Sequence, residues 1–227
     1  PDDPEVQLLR GECSLRMGVE DGNPLMFADA RIAFLSAART NRADEAWLGA
    51  ARAGWLSYYA TSEARELADA LAHAKTGMGR LGTERPFEKY LAFDLERTYA
   101  EIAFTAYTAA RGSGAISERS NALFEETRTA LEAVIGDDAS DSWAWGQLAN
   151  LYEWEGRTQD ANDALARGLA LAPEDASLHD SQVRVALQLG GWSAVASAYE
   201  AFSSDHPQLA VGHWHLGRAT YELALAA

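Results

Sequence analysis

Apolar side chains return every three or four residues through nearly every stretch of this chain, and no run alternates apolar with polar. That period predicts helices and no sheet. The first helix is short, Glu5 to about Met17, and carries Val6, Leu8, Leu9 and Leu15. Asp21-Gly-Asn-Pro24 reads as a turn. A helix from about Leu25 to Arg39 follows, with Ala30, Phe34 and Ala37 at spacings 0, 4 and 7. The next, about Asp44 to Tyr59, is expected to turn Trp47, Leu48, Ala51 and Trp55 inward. Thirty-four residues after Ala30 come Ala64, Ala68 and Leu71, again at 0, 4 and 7. Pro86 to about Ala110 is the longest helix, roughly 37 Å at 1.5 Å per residue. Leu91, Leu95, Thr98, Ile102 and Ala109 form one of its faces, and Phe93, Phe104 and Tyr107 lie around to a second. Apolar on two sides, it is expected between neighbours. About Ser117 to Val134 carries Leu123, Phe124, Leu131 and Val134.

The last third is the most regular. Trp145, Leu148, Ala149 and Tyr152 share one helical face. Gly156 ends that helix, because glycine reaches the left-handed cap conformation without a steric cost. Thr158 is a candidate N-cap for the next, which Ala161, Leu165 and Gly168 line and Pro173 stops. Adding 34 brings Gly156 to Gly190, Leu165 to Tyr199 and Pro173 to Pro207. His179 then stands in the place of Trp145 and Gln182 in that of Leu148, and Leu216 and Gly217 open a third copy. A 34-residue period of two helices closed by proline resembles the tetratricopeptide repeat. The resemblance implies an all-α, right-handed superhelical solenoid of antiparallel hairpins, here about eleven helices with a longer pair in the middle. Degenerate hairpins are expected over 1–76, a glycine-rich linker over 77–85, the long pair over 86–139, and repeats over 142–175, 176–209 and, in part, 210–227.

Composition narrows the partners. The 227 residues hold 48% hydrophobic and 23% charged residues, a globular balance. A net charge of -15 repels nucleic acid and anionic membrane and leaves basic partners. Direct membrane insertion is not expected, since no apolar run reaches 18 residues. Cys13 is the only cysteine and is expected to be buried as a small apolar residue. The compartment stays open between cytoplasm and periplasm. Gly77-Met-Gly79-Arg-Leu-Gly82 spells a dinucleotide fingerprint, but a helix precedes it where a strand is required, so an interhelical linker is the reading. His213 and His215 stand two apart, pointing to different sides of a helix, and His213 is expected between helices. No cofactor, metal site or catalytic residue is expected, and Glu153 and Glu155 read as a solvated face.

In proteins of the resembled kind the first helix of each repeat lines a groove that holds a peptide or partner subunit. Carried to this chain, that implies a groove of Trp143, Asn150, Trp154, Arg184, Trp214 and Arg218. Trp143 and Trp154 are open to a second reading, as core. Gly146, Asp180 and Arg184 stand where relatives that grip a chaperone's C-terminal carboxylate place other groups. That function is therefore not expected. The function implied is a scaffold or adaptor in a larger assembly. The alternatives are a periplasmic accessory subunit of a transporter, or a ligand-binding or enzymatic domain using the long pair. Ala219, Leu223 and Leu216 are expected to lack cover on one side, which implies an oligomer or a continuation at that end.

Overall fold

The computed structural model describes residues 3–39, 43–80, 86–112 and 118–227, with backbone alone for 43, 44 and 86–93. Ten helices and no strand occur among the described residues. They are α1 (Pro4–Asp21), α2 (Pro24–Ala37), α3 (Ala43–Thr61), α4 (Ala64–Met78), α5 (Pro86–Gly112), α6 (Glu118–Asp137), α7 (Ser142–Trp154), α8 (Thr158–Leu171), α9 (Ala176–Asp205) and α10 (Ala210–Leu225). Non-helical angles at Gly190 and Gly191 break α9 into two, which makes eleven helical segments. The positive φ falls on Gly191 rather than on Gly190, one residue later than the period places it. Two compact units result, Pro1–Val134 and Ile135–Ala227.

In the first unit, Gly22 takes the left-handed conformation and Asn23 caps α2 from its side chain, which makes the tight turn into α2. From α1 to α5 successive helices lie against one another, and α3 also reaches α1 and α5. The Phe34 ring of α2 enters a notch made by two glycines. A methyl at Gly11 on α1 would stand 2.7 Å from its Cε1, and one at Gly49 on α3 would stand 2.5 Å from it. Arg31 on α2 then ties α4 through two hydrogen bonds to Glu66, of 2.6 and 3.2 Å. The long α5 packs into this unit. Leu95 and Ile102 share a core with Leu48, Ala51, Leu67, Ala70 and Ala74 of α3 and α4, while Tyr107 on its other side meets Phe124 of α6. Its two apolar sides are thus both used, although Ala109 is exposed. Leu91 and Phe93 fall outside the described side chains.

Three expectations change here. Ala64 and Ala68 are exposed, and the inner 0, 4, 7 set of α4 is Leu67, Leu71 and Ala74. The longer α3 hairpin slips that register by three, from 34 to 37. Gly77 and Met78 belong to α4 and not to a linker. Gly77 is buried because Leu95 and the Cβ of Trp47 leave no room for a side chain, at 2.8 and 2.9 Å from where one would start. Gly82 lies outside the described residues. Cys13 is exposed, since the buried side of α1 runs through Leu8, Gly11, Ser14 and Gly18.

In the second unit the 34-residue period holds through the helices, apart from the one-residue shift of the left-handed glycine to Gly191. Second-helix positions Ala161, Leu165 and Gly168 of α8 recur 34 residues on as Val195, Tyr199 and Phe202. The same three slots 34 residues earlier fall in the first unit, as Thr127, Leu131 and Val134 of α6, all buried. Leu178, at the start of α9, drives into the gap left by Gly146 on α7 and Gly168 on α8, 2.9 and 3.2 Å from a methyl at either. The turn after α7 closes as expected, with Gly156 at φ +72° and Arg157 N–H donating to Tyr152 O. Thr158 is the first residue of α8 and not its cap, and Arg157 holds the cap position. Ala219 is fully buried with Ala186, Val195 and Tyr199, against the expectation of an open side, and Leu223 is exposed.

These packings yield a stability test. Alanine normally stabilises a helix interior by about 1 kcal/mol over glycine. Gly49→Ala should instead lower the unfolding free energy by about 1–3 kcal/mol, because the new methyl overlaps a ring already confined by Gly11. Urea midpoints of the two proteins check it.

Candidate partner-binding face

The first residues to consider are those at the fourth position of each repeat. Trp145 Nε1–H donates to Ala139 O at 3.2 Å. His179 Nε2–H donates to Pro173 O at 2.8 Å, and His213 Nε2–H to Pro207 O at 2.9 Å. Each reaches the carbonyl six residues back, in three successive repeats. A carbonyl only accepts, so each histidine carries its hydrogen on Nε2. The position thus requires a ring N–H that ties the incoming loop to the helix, which histidine supplies as well as tryptophan. His213 is exposed, not packed between helices, and His215 is the buried one.

His215 lies in an aromatic stack, its ring 4.5 Å from Tyr199 and 5.7 Å from His179. Trp214 meets it edge-on at 4.6 Å. Burial holds His215 below the ordinary histidine range. His179 and Arg218 push the same way and Asp180 opposes them. Gln182, in the place of Leu148, stays buried by donating to Asn162 Oδ1 at 2.9 Å.

The face of the first helices carries a polar knot. Arg184 Nε donates to Glu153 Oε1 at 2.6 Å, and its Nη2 donates to Asn150 Oδ1 at 3.3 Å and Ser181 Oγ at 3.2 Å. Gln188 Nε2 donates to the same Glu153 oxygen at 3.0 Å. Glu153 is therefore no solvated carboxylate. Its side chain is only 14% exposed and joins α7 to α9. It raises the guanidinium's hold on its proton through that hydrogen bond. Sequence reasoning missed this pairing because its partners stand 31 and 35 residues apart, in slots twelve, nine and thirteen of neighbouring repeats.

The other expected residues differ in exposure. Trp143 is half-buried, whereas Trp154 is 51% exposed and Trp214 59%. Tyr221, one slot-set further along α10, is 62% exposed. Arg218 lies over two rings, 5.3 Å from the centre of Trp192 and 5.8 Å from that of Trp214. Asn150, Glu153 and Arg184 thus meet directly. Trp214 and Arg218 form a second cluster on α10 with Trp192, which the sequence did not mark.

The first unit has a first-helix face as well, unmarked in the sequence. A cleft of about 500 Å³ runs between α1 and α3 over Leu15, Val19, Trp55 and Leu56, with Glu12, Arg16, Glu20 and Arg52 at its rim. Trp55 Nε1 donates to Thr105 Oγ1 at 3.1 Å, which fixes the ring against α5. No group of three His, Cys, Asp or Glu side chains is close enough to hold a metal ion among the described residues. None of the described helices is long and apolar enough to cross a membrane.

Two measurements test this geometry. Glu153→Gln and Arg184→Ala, combined in a double-mutant cycle, should show a coupling of about 1 kcal/mol in unfolding free energy, above the usual exposed pair because Glu153 is largely buried. His215 binds protons less readily folded than unfolded, so its contribution is complete above its ordinary 6.5 and is lost as the pH falls below it. The drop in stability between about pH 7.5 and 5 should accordingly be smaller in His215→Phe than in the parent. His73, depressed for the same reason of burial, contributes a share that remains in both proteins.

No protein-family model and no curated protein sequence matches the chain. Solved structures do. One is a thermophilic TPR protein of Thermus thermophilus, 19% identical, with a TM-score of 0.54 over 93% of this chain and 99% of that one. Another is Acl4, the assembly chaperone of RpL4, 17% identical, with a TM-score of 0.53 over 96% of this chain and 84% of the other. At such identities the likeness speaks for the backbone alone, and with the 34-residue hairpins it shows that the chain has the tetratricopeptide-repeat-like fold.

Proposed function

We propose that the chain is a non-catalytic scaffold or adaptor that holds a segment of a partner protein against the first-helix face of residues 142–222, within a larger assembly. The observation that carries this reading is the pairing of exposed rings with a fixed polar frame. Trp154, Trp214 and Tyr221 are each more than half exposed on a face whose neighbouring polar groups, Glu153, Arg184 and Gln188, already satisfy one another. Large exposed aromatics beside arginine are what buried interface centres are made of. The net charge of -15 favours a partner segment that is neutral or basic over most of its length. Acl4, a protein of similar backbone, is an assembly chaperone, which agrees with a role in assembly.

The test compares the full chain with a Trp214→Ala/Tyr221→Ala variant as immobilised baits in a lysate of the native organism, read by mass spectrometry. A partner recovered by the parent should be lost from the variant, each ring being worth about 2 kcal/mol or more if it anchors the contact. The melting temperatures should stay close, because both rings are largely in solvent. Equal recovery by both baits excludes this face.

A further inference from the structure

The repeat provides an internal control for one residue. Arg184 and Arg218 occupy the same slot in successive repeats, 34 residues apart. Arg184 finds three acceptors within the chain, at Glu153, Asn150 and Ser181. Moving each acceptor on by 34 gives the groups that should serve Arg218. Glu153 becomes Leu187, Asn150 becomes Arg184, and Ser181 becomes His215. None of the three accepts from a guanidinium here: Leu187 is apolar, Arg184 is a like charge already held by Glu153, and the buried His215 ring is taken up in its stack. Arg218 accordingly makes no ion pair or hydrogen bond among the described residues, and its contacts are the faces of Trp192 and Trp214. Glu222 lies one turn on along α10 without pairing to it, and Asp180 is felt at His215 rather than paired to Arg218. An exposed guanidinium laid on two indoles keeps its N–H edge free for a planar anion.

We propose that Arg218 takes from the partner the carboxylate that Glu153 supplies to Arg184 within the chain: an aspartate or glutamate side chain flanked by apolar residues that cover Leu187, Trp214 and Tyr221. This rests on the first-helix face being the binding site. The strongly negative charge of the chain disfavours an acidic segment, so the ligand carries a lone acidic side chain in a neutral or basic stretch. The aromatic wall selects what stands beside it. A carboxylate at a chain end is the competing source of the same chemistry. The template within the chain, Glu153 beside Trp154 on a helix, is a side chain.

The probe is a random-peptide library displayed in two formats, within a loop and with a free C-terminus, selected against the full chain. The loop format should enrich a single Asp or Glu next to aromatic or aliphatic residues. A selected peptide should bind Arg218→Gln roughly tenfold to a hundredfold more weakly. Exchanging its acid for the amide should cost as much, and the two losses should not add. Full additivity, or the same acidic enrichment on Arg218→Gln, overturns the proposal. Acidic enrichment confined to the free C-terminal format overturns the side-chain source. Peptides that depend on Trp214 but not on Arg218 sink the role of Arg218 and leave the face standing. Peptides indifferent to both, or no binders in either format, sink the face itself. Circular dichroism and melting of Arg218→Gln, whose guanidinium is exposed, confirm that the comparison is between folded proteins.

Discussion

What each unit depends on is a large side chain of one hairpin entering a gap where its neighbour has no side chain at all. Phe34 occupies the space left by Gly11 and Gly49. Leu178 does the same at Gly146 and Gly168, and Phe202 crowds Gly212, where a methyl would stand 2.8 Å from its Cδ1. Between these knobs about half of the buried apolar residues are alanine, which lets the helices approach closely there. No hairpin could hold itself together on that basis. Each ring or leucine stabilises the fold only when the next helix closes over it, which is why repeats of this kind fold as neighbours and not singly.

Polar groups inside the second unit obey the same periodic logic. The N–H at the fourth slot, whether from Trp145, His179 or His213, goes to the carbonyl six residues behind. Gln182 enters a leucine slot without leaving an orphan, because Asn162 of the preceding helix faces it. Such replacements look like degeneration when read along the chain. In the structure they exchange an apolar contact for a satisfied hydrogen bond, which leaves the backbone path of the repeat unchanged.

The parts of this fold legible in the sequence were those encoded within one hairpin. Period 3.6 gave the helices, Gly156 the left-handed cap, and Ala161, Leu165 and Gly168 the inner face of α8. What stayed hidden was set by contacts between hairpins. Ala64 and Ala68 satisfied a 34-residue rule, yet the longer α3 moves the buried set to Leu67, Leu71 and Ala74. Cys13 stands next to the buried Ser14 but on the solvent side of α1, a matter of one position. For the candidate site, Trp214 and Arg218 could be named from the resemblance. The partner of Glu153 and the position of Trp192 beneath Arg218 could not, since neither follows from residues close in sequence.

The tie from Glu153 to Arg184 and Gln188 has a kinetic consequence. It fastens α7 to the first half of α9 before any partner arrives, so the ordering entropy of those long side chains is already spent during folding. On the proposed reading, docking on this part of the face is an encounter with a preformed surface, and differences in affinity between partners should lie mostly in how slowly they leave.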